Sequence, residues 1–589
     1  MVWKGRIECI LICTHMIENG KRIVIVGGVA GGASCAARAR RLCEKCTIEI
    51  FEKSPFVSFA NCGLPYYVGN VITEEKNLLV ATPQRFHDYF NIKVHTEHEV
   101  TAIDPAAREI EVCDLKTGVR RSEPYDALVM ATGANAIRPP LPGIDLPGVR
   151  ILRTIPDSRR MRAAVEKAGS AVVVGGGFIG LEMAENLVRR NISVTIIEAA
   201  PQVMTPLDPE MAIRVAQQLK ENGVEVRVNC AVESFAESKG GGLEVHVSTG
   251  ESLRADLAVL AIGVKPAAEL AVTAGIDTGS SGGIHVDDSM RTSDPNIWAV
   301  GDVVETTDIV TGTRRPLALA GPANRQGRVA AATIMRSFYP ETCERRSGIR
   351  FRGVQATSVC GVFGMTVAMT GANERALQHA GIEDFERVYL HPGHHVGYYP
   401  GARPIHLKLI YSTTDGRILG AQAVGEAGVE RRIDVIAMAM QMGGTVFDLE
   451  EAELCYAPQF GAAKDPVNLA GMIAANTLRG DFSPAAWEEL NSSNAVVLDV
   501  RSPEEFRDGH IPGSVNIPLP DLRGRIDELS PAESEEWKHR EVWLTCGVGQ
   551  RAYYATRLLM QNGYNVKVLS GGMMTYETLV AARSQSAAP

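Results

Sequence analysis

The hydrophobic positions near the start of the chain follow the order strand, turn, helix, strand. An apolar run at residues 21–26 precedes a glycine-rich turn at 27–32, and small residues with helical spacing occupy 33–42. A second apolar run at 47–51 ends at Glu52, about twenty residues after the turn. This order predicts a dinucleotide-binding fold, because the turn brings backbone amides to phosphates and the carboxylate accepts hydrogen bonds from a ribose.

The first glycine turn departs from the G-x-G-x-x-G pattern at its middle position, Val29. We still predict cofactor contacts from the turn, from the carboxylate and from the residue after it. These residues are Gly27, Gly28, Ala30, Gly31, Gly32, Glu52 and Lys53.

The strand, turn and helix order repeats from residue 170, this time with a complete glycine pattern. Gly175 permits the tight turn, Gly177 lets the backbone approach a pyrophosphate, and Gly180 lets helix and strand pack closely. The strand at 193–197 ends in Glu198, which would bond a ribose 2′-hydroxyl and repel a 2′-phosphate. The second fold therefore favours NADH, and the nearby Arg189 and Arg190 keep NADPH as the alternative.

Length and composition indicate a multidomain globular protein. The chain has 589 residues, of which 45% are hydrophobic and 22% charged, and it contains no run of about 20 apolar residues. These values exclude a disordered chain and a membrane span, and a net charge of -9 without basic blocks gives no footprint for nucleic acid. Twelve cysteines without regular spacing favour a reducing, cytoplasmic setting. Residues 1–20 are interpreted as an N-terminal extension, with Met16 as the natural start.

Three further segments carry the resemblance to a known family. A strand at 125–130 ends in Ala-Thr-Gly, another at 255–261 ends in Ile-Gly, and residues 292–302 end in Trp-Ala-Val-Gly-Asp. With these motifs, residues 21–475 resemble the FAD-dependent pyridine nucleotide-disulphide oxidoreductases. The resemblance implies that the first fold binds FAD and the second NAD(P)H, and that Asp302 bonds the flavin ribityl chain. The further cofactor positions that it implies are Thr132, Gly133, Gly263 and Gly301.

The segment Ser-Phe-Ala-Asn-Cys-Gly-Leu-Pro-Tyr-Tyr contains a lone cysteine, Cys62, where other members carry a pair. A lone thiol cannot close an internal disulfide, so its oxidised form is a mixed disulfide, a persulfide or a sulfenic acid. The segment resembles the subgroup of coenzyme A disulfide reductases, NADH-dependent persulfide or polysulfide reductases, and NADH oxidases and peroxidases. Ser58 and Asn61 of this segment are predicted to contact substrate.

Two observations favour a sulfur substrate over oxygen or peroxide. The peroxide-reducing members place a histidine in the first glycine turn, and the matching residue is Ala30. Arg38 and Arg41 lie on one face of the first helix, where coenzyme A-dependent members contact the substrate's phosphates; the alternative is that they belong to a solvated helix end. The alternative is an NADH oxidase or peroxidase that uses a Cys62 sulfenic acid.

Residues 346–475 resemble the family's dimerisation domain, which implies a homodimer. The resemblance to coenzyme A disulfide reductases implies that Tyr398 and Tyr456 reach the partner's active cysteine, where a phenol can protonate a leaving thiolate. No metal site is expected, because the adjacent His394 and His395 lack further spaced ligands. The C-x-x-C of residues 43–46 has no second pair and is interpreted as structural.

The last hundred residues resemble the rhodanese family. A strand ending at Thr545 delivers a C-x-x-G-x-R loop, whose glycines and following helix direct amides at Cys546 and favour its thiolate or persulfide. Cys546 is the predicted sulfur carrier, Arg551 adds fixed charge, and Asp499 with Arg501 is expected to hold the loop framework.

The sequence thus predicts an α/β protein with two Rossmann-like domains, an α+β dimerisation domain and an α/β rhodanese domain. It predicts FAD- and NAD(P)H-dependent reduction of coenzyme A disulfide, coenzyme A persulfide or polysulfide at Cys62, with sulfane sulfur carried by Cys546. The expected domains are an extension at 1–20, FAD-binding parts at 21–150 and 279–345, an NAD(P)H domain at 151–278, a dimerisation domain at 346–475, a linker at 476–490 and rhodanese at 491–589.

Overall fold

The computed structural model describes residues 20–340, 348–529 and 540–586. The chain divides into two compact units, one of residues up to 175, 183–194 and 232–354, and one of residues 176–182, 195–231 and 355 onward. The extension predicted at residues 1–20, with Met16, lies outside the described residues apart from Gly20. Among the described helices, none has the length and apolar character needed to cross a membrane.

A parallel five-stranded sheet forms the first dinucleotide fold. Its central strand, Arg22–Val26, is buried from Ile23 onward, as expected for a parallel strand that is covered on both faces. The register places Val26 beside Phe51 and Met130, so the first glycine turn lies at the carboxyl edge of the sheet. In sheet order the strands are Ile297–Ala299, Ala127–Met130, Arg22–Val26, Thr47–Glu52 and Lys93–Thr96.

Helices and small sheets surround this first sheet. The helix expected at 33–42 begins at Ala30, within the glycine turn, and ends at Leu42. The other helices in this part of the chain are Leu64–Val68, Pro83–Phe90, Ile155–Val165, Glu269–Thr273 and Ala320–Phe338, with 3-10 turns at Asn61–Gly63 and Glu75–Leu78. The additional strands are His98–Asp104, Glu109–Asp114, Arg120–Pro124, Ala134–Ala136, Val264–Pro266, Ile284–His285, Val304–Thr307 and Arg314–Pro316.

The C-x-x-C lies between the first helix and the second strand, as the sequence indicates. Cys43 and Cys46 are both buried and are joined by a disulfide, which the sequence analysis did not predict. Arg40 donates to the carbonyl oxygens of Cys43, Phe90 and Asn91 and so holds this helix end in place.

A second parallel sheet of five strands corresponds to the second glycine pattern. Its strands, in sheet order, are Glu225–Arg227, Ser193–Ile197, Ser170–Val174, Leu257–Leu260 and Val149–Arg150. The helix Phe178–Val188 follows the glycine turn, and the helix Pro209–Glu221 follows further along the chain. A separate antiparallel sheet consists of Val232–Glu237, Leu243–Val247 and Ser252–Ala255.

An antiparallel sheet of five strands forms the predicted dimerisation domain. Its strands Ile405–Ser412 and Ile418–Gly425 are nearly completely buried, which makes them the centre of this layer. The sheet order is Ser358–Val362, Met365–Gly371, Ile418–Gly425, Ile405–Ser412 and Phe385–Leu390, and the helices are Glu374–His379, Val429–Gln441, Val446–Glu450 and Pro466–Leu478.

A buried ion cluster lies against this antiparallel sheet. Lys408 on the strand Ile405–Ser412 is completely buried, and its Nζ bonds Asp208 at 2.7 Å, Glu210 at 2.5 Å and also Glu374. Tyr389 donates to Glu210 over 2.9 Å. The carboxylates hold the pKa of Lys408 well above its usual value despite its burial, so the ammonium is charged and its removal would leave buried carboxylates without a partner.

A parallel sheet of five strands forms the C-terminal domain, and it corrects the predicted linker. The helix Pro466–Leu478 extends into residues 476–490, the strand Pro484–Ala485 pairs with Val566–Leu569, and Trp487 is buried. The sheet order is Pro484–Ala485, Val566–Leu569, Val542–Thr545, Val496–Asp499 and Val515–Asn516. The helices are Pro503–Asp508, Leu519–Leu522, Gln550–Gln561 and Gly572–Ser586, with 3-10 turns at Trp487–Glu489 and Ile526–Leu529.

Candidate active sites

A cavity of about 1170 Å³ opens at the carboxyl edge of the first sheet. Its lining brings the lone cysteine together with the first glycine turn and with residues far apart in sequence. The predicted site residues on its wall are Gly27, Ala30, Gly31, Arg38, Arg41, Glu52, Lys53, Ser58, Asn61, Cys62, Thr132, Gly133, Gly301 and Asp302. Gly28 and Gly32 lie in the same turn behind this wall, where they are buried.

The first glycine turn is shaped by close approaches that exclude a side chain. Gly27 has φ +97°, and a Cβ there would lie 2.3 Å from the carbonyl oxygen of Ala131. A Cβ on Gly32 would lie 1.9 Å from the carbonyl oxygen of Gly27. The helix Ala30–Leu42 therefore begins directly on the turn, and its N-terminal amides face the cavity where a phosphate would be bound.

Glu52 supports the first glycine turn as well as lining the cavity. Its Oε2 accepts from the amide of Gly28 over 2.9 Å, and its Oε1 accepts from the amide of Ser54 over 2.9 Å. Each carboxylate oxygen has a second lone pair, so the side chain keeps capacity for a ribose hydroxyl while it is held in place.

An ion pair that was not predicted from the sequence also lines the cavity. Arg153 Nη2 is 2.7 Å from Asp302 Oδ2, and its Nε donates to the carbonyl of Ala134. The neighbouring amide of Gly301 donates to Gln326 Oε1 over 2.7 Å, and Thr132 Oγ1 donates to the carbonyl of Ala267. The ion pair thus fixes the Asp302 carboxylate beside the cavity. Gly263 is not part of the wall; with φ +108° it forms the turn before the strand Val264–Pro266.

Cys62 is exposed to the cavity on the 3-10 turn Asn61–Gly63. Ser58, with φ +48°, bends the chain into this turn and donates its amide to the carbonyl of Gly28, which ties the cysteine segment to the glycine turn. Asn61 Oδ1 is buried without a hydrogen-bond partner among the described residues. An orphaned acceptor in a cavity wall indicates a position where a ligand donates a hydrogen bond.

A carboxylate supports the second glycine turn in the same way as Glu52 supports the first. Glu198 Oε2 accepts from the amide of Gly176 over 2.7 Å, and Oε1 accepts from the amide of Ala200 over 2.8 Å. Gly175 has φ +104°, and a Cβ at Gly177 would meet nothing within 4 Å, so the backbone is open to a ligand there. Gly180 is buried in the helix Phe178–Val188.

The two tyrosines predicted to act together form one exposed pair. The hydroxyl oxygens of Tyr398 and Tyr456 lie 2.7 Å apart, and the side chains are 74% and 47% exposed. The hydrogen bond from Tyr398 raises the pKa of Tyr456, so that phenol keeps its proton at neutral pH. Two exposed, hydrogen-bonded phenols thus present a proton donor at the surface of the dimerisation domain.

Cys546 ends the strand Val542–Thr545 and is 1% exposed. The amide of Gly549 donates to its Sγ over 3.1 Å, and the helix Gln550–Gln561 begins behind it. Arg551 is paired with Glu505, a residue that the sequence analysis did not single out. Asp499 and Arg501 form a buried pair at 2.7 Å, and Arg501 also donates to the carbonyl of Gly509, as expected for framework residues.

Family models match three successive parts of the chain. The pyridine nucleotide-disulphide oxidoreductase model matches residues 21–327, and the model of that family's dimerisation domain matches 357–465. The chain belongs to the pyridine nucleotide-disulphide oxidoreductases. The rhodanese-like domain model matches residues 484–578, so this oxidoreductase carries a rhodanese domain that begins before the predicted residue 491.

Several proteins similar to this oxidoreductase over most of its length are named for disulfide or persulfide reduction. A coenzyme A disulfide reductase of Staphylococcus haemolyticus is 34% identical over 456 residues, which is 77% of this chain and 99% of that protein. The crystal structure of reduced Bacillus anthracis CoADR-RHD is 41% identical, with a TM-score of 0.90 over 96% of this chain and 99% of that one. A NAD-dependent persulfide reductase from A. fulgidus is 37% identical, with a TM-score of 0.85 over 94% of this chain and 100% of that one.

Membership of the family implies FAD and NAD(P)H, and the residues present fit FAD. The cavity has room for a group of that size, Gly27 and Gly32 leave space only for backbone, and the helix Ala30–Leu42 directs amides at it. Glu52 and Asp302 supply fixed acceptors for hydroxyl groups.

Proposed function

We propose that this oxidoreductase uses NADH to reduce the S–S bond of coenzyme A disulfide or coenzyme A persulfide at Cys62, and that Cys546 supplies sulfane sulfur as a persulfide. The exposed lone thiol of Cys62 carries the proposal, because it shares one cavity with the first glycine turn and with Arg38 and Arg41. A lone cysteine beside two guanidinium groups suits a disulfide whose two halves bear phosphates.

The reaction at Cys62 is a thiol–disulfide exchange followed by reduction. The Cys62 thiolate attacks coenzyme A disulfide, forms a mixed disulfide and releases one coenzyme A thiolate. Bound FAD supplies the two electrons that NADH provides for reducing this mixed disulfide. The second coenzyme A thiol then leaves, so one NADH and one proton yield two thiols. With the persulfide, the first product is sulfide and the second is coenzyme A thiol.

The protein's own residues position and protonate these groups. Arg38 and Arg41 bind the phosphates of coenzyme A, Asn61 accepts a hydrogen bond from the substrate, and Ser58 holds the cysteine segment against the glycine turn. In a homodimer, Tyr398 and Tyr456 reach the partner's cavity and donate a proton to the leaving thiolate.

The second glycine turn supports NADH over NADPH. Glu198 is fixed by two backbone amides and repels a 2′-phosphate. The two nearby arginines are engaged elsewhere, since Arg189 pairs with Glu185 at 2.7 Å and Arg190 donates to the carbonyl of Val68.

The experiment is anaerobic NADH oxidation by the purified protein with coenzyme A disulfide and coenzyme A persulfide, while sulfide is measured. We expect turnover with at least one of them, with one sulfide released per NADH when the persulfide is used. Failure of both substrates, together with NADH oxidation in air that consumes oxygen without a sulfur compound, would replace the proposal with an NADH oxidase.

A further inference from the structure

The rhodanese loop carries a negative charge at its rim that the sulfur-carrier function does not require. Glu505 Oε1 and Oε2 each lie 2.7 Å from a terminal nitrogen of Arg551, in a two-bond ion pair. Both side chains are about 40% exposed, so this pair is in contact with solvent at the surface of the loop. A Cβ placed on Gly547 would lie 3.5 Å from Arg551 Nη2 and 4.0 Å from Glu505 Oε1, so both charges flank the loop.

Hydrogen bonds with Ser502 hold Glu505, one partner of the ion pair, in place. The amide of Ser502 donates to Glu505 Oε2 over 3.1 Å, and Ser502 Oγ accepts from the amide of Glu505, which forms a capping box for the helix Pro503–Asp508. Arg551, followed by the Ser502 amide, lowers the pKa of Glu505 to about 2, so the carboxylate stays ionised at any pH where the enzyme works.

The consequence is a loop that binds one negative charge well and a second one poorly. Each terminal nitrogen of Arg551 donates one hydrogen bond to Glu505, so the carboxylate offsets the charge of a guanidinium that also hydrogen-bonds Cys546. Further attraction for an anion comes from the amide of Gly549 and from the start of the helix Gln550–Gln561. These donors can hold a single sulfur anion at Cys546, whereas the further negative charge of a sulfonate on that sulfur would be repelled by the Glu505 carboxylate.

We propose that Glu505 selects the sulfur donor of Cys546, favouring organic persulfides over the thiosulfate dianion. This rests on Cys546 as the sulfur carrier. The Cys546 thiolate attacks the outer sulfur of R–S–SH, a Cys546 persulfide forms, and the thiolate RS⁻ leaves. With thiosulfate the leaving group is sulfite, whose additional charge must develop beside Glu505.

The test compares the two donors on full-length, FAD-loaded protein without NADH. Cys546 persulfide is measured by peptide mass spectrometry after single-turnover reaction with thiosulfate or coenzyme A persulfide. In Glu505→Gln, whose amide can keep the capping box, we expect the thiosulfate rate relative to the persulfide rate to rise about fivefold, the effect of one unit charge at 4 Å in a water-like medium. Glu504→Gln removes the same charge from the same helix, where Glu504 is 70% exposed and pairs with Arg507.

Each outcome of this comparison either supports or overturns the selection of the donor by Glu505. A rise of the ratio in Glu505→Gln with no change in Glu504→Gln supports selection by charge. Equal loss with both donors would show that Glu505 only maintains the loop, and an unchanged ratio would also overturn the proposal. Absence of sulfur on Cys546 from either donor in the unaltered protein would overturn the sulfur-carrier function itself, which keeps the two failures distinct.

Discussion

The two thiols assigned to sulfur chemistry have opposite surroundings. Cys62 is exposed on a 3-10 turn in the wall of a cavity of about 1170 Å³, among residues that can hold a dinucleotide and a large phosphorylated substrate. Cys546 is 1% exposed, and its sulfur accepts a hydrogen bond from the amide of Gly549 in its own loop. The first site suits exchange between large groups and an electron donor, and the second suits holding one sulfur atom as an anion.

The largest expected effect separates the two thiols. Cys62→Ser should lower NADH-dependent reduction of coenzyme A disulfide by about a thousandfold or more, because Cys62 is the one cysteine among the described residues that line the cavity. Cys546→Ser should leave that reduction intact and abolish sulfur transfer to cyanide. Both activities are measured on both variants; loss of both activities in one of the single variants would break the comparison.

The buried Lys408 cluster allows a test of the stability of the region that contacts the rhodanese domain. Lys408→Met leaves Asp208 and Glu210 buried without their cation, and we expect it to lower the free energy of unfolding by about 3–5 kcal/mol. The cluster is linked to the rhodanese domain, because Tyr389 bonds Glu210 and its amide donates to Ser570 Oγ over 2.9 Å.

This effect is measured by unfolding the protein in urea and monitoring the loss of sulfur transfer from Cys546. Lys220→Met, an exposed lysine on the helix Pro209–Glu221, is the matched control and should change little. An unaltered midpoint in Lys408→Met would show that the cluster does not stabilise this region.

Removal of one phenol should affect Cys62 chemistry alone. Tyr456→Phe or Tyr398→Phe should lower turnover with coenzyme A disulfide by about a hundredfold, since general acids contribute that much to thiolate departure. Sulfur transfer by Cys546 serves as the internal control. Normal turnover in both phenylalanine variants would exclude the tyrosines as proton donors.

Acid should weaken the contact between the rhodanese and dimerisation domains. His391 and His406 are joined by a 2.9 Å hydrogen bond, and His391 bonds Thr575 of the rhodanese domain. Burial, with Arg214 nearby, lowers the pKa of His406 to about 3, and burial, His406 and Arg214 lower the pKa of His391 as well. Below pH 6.5 these two histidines bind protons in the unfolded chain but stay neutral in the folded state. The free energy of unfolding therefore falls as the pH falls.

Between pH 7 and pH 5 this loss is about 2 kcal/mol for His406, and His391 contributes a loss in the same direction. Unfolding monitored by tryptophan fluorescence is informative, because Trp487 donates to the carbonyl of Ser570 at this contact. His406→Gln should reduce the dependence on pH, whereas His379→Gln, at an exposed position, should not. Equal pH dependence in all three proteins would contradict this explanation.

The smallest effect concerns recognition of the substrate at Cys62. Arg38→Ala and Arg41→Ala should each raise the KM for coenzyme A disulfide about fivefold, as expected for a partly exposed contact between arginine and phosphate. The KM for a small disulfide without phosphates should stay unchanged. Equal increases with both substrates would mean that the arginines support the helix rather than bind phosphate.

The sequence predicted those features whose residues lie close together in the chain. Both glycine turns, Cys62 and the Cys546 loop depend on short spacings that fix a strand, a turn and a helix, so their local structure follows from the pattern. The α/β class followed from the same repeated order. The helix Ala30–Leu42 was predicted to within three residues at its start.

Contacts between distant residues could not be predicted in this way. Arg153 and Asp302 are 149 residues apart, and Lys408 and Asp208 are 200 apart, so only the packed fold brings them together. The linker prediction was wrong for the same reason, because the two-residue strand Pro484–Ala485 has no periodicity of its own and is defined by pairing with Val566–Leu569. The sequence around Glu505 likewise did not indicate that this residue pairs with Arg551.

The most direct test of the account asks what becomes attached to Cys62 during turnover. The FAD-loaded protein is reacted anaerobically with NADH and excess coenzyme A disulfide, and the reaction is quenched in acid. The mass of the Cys62 peptide is then measured by mass spectrometry. We expect a coenzyme A mixed disulfide on Cys62 that forms and decays at the rate of turnover. An unmodified or sulfenic acid Cys62 while NADH is consumed would contradict it.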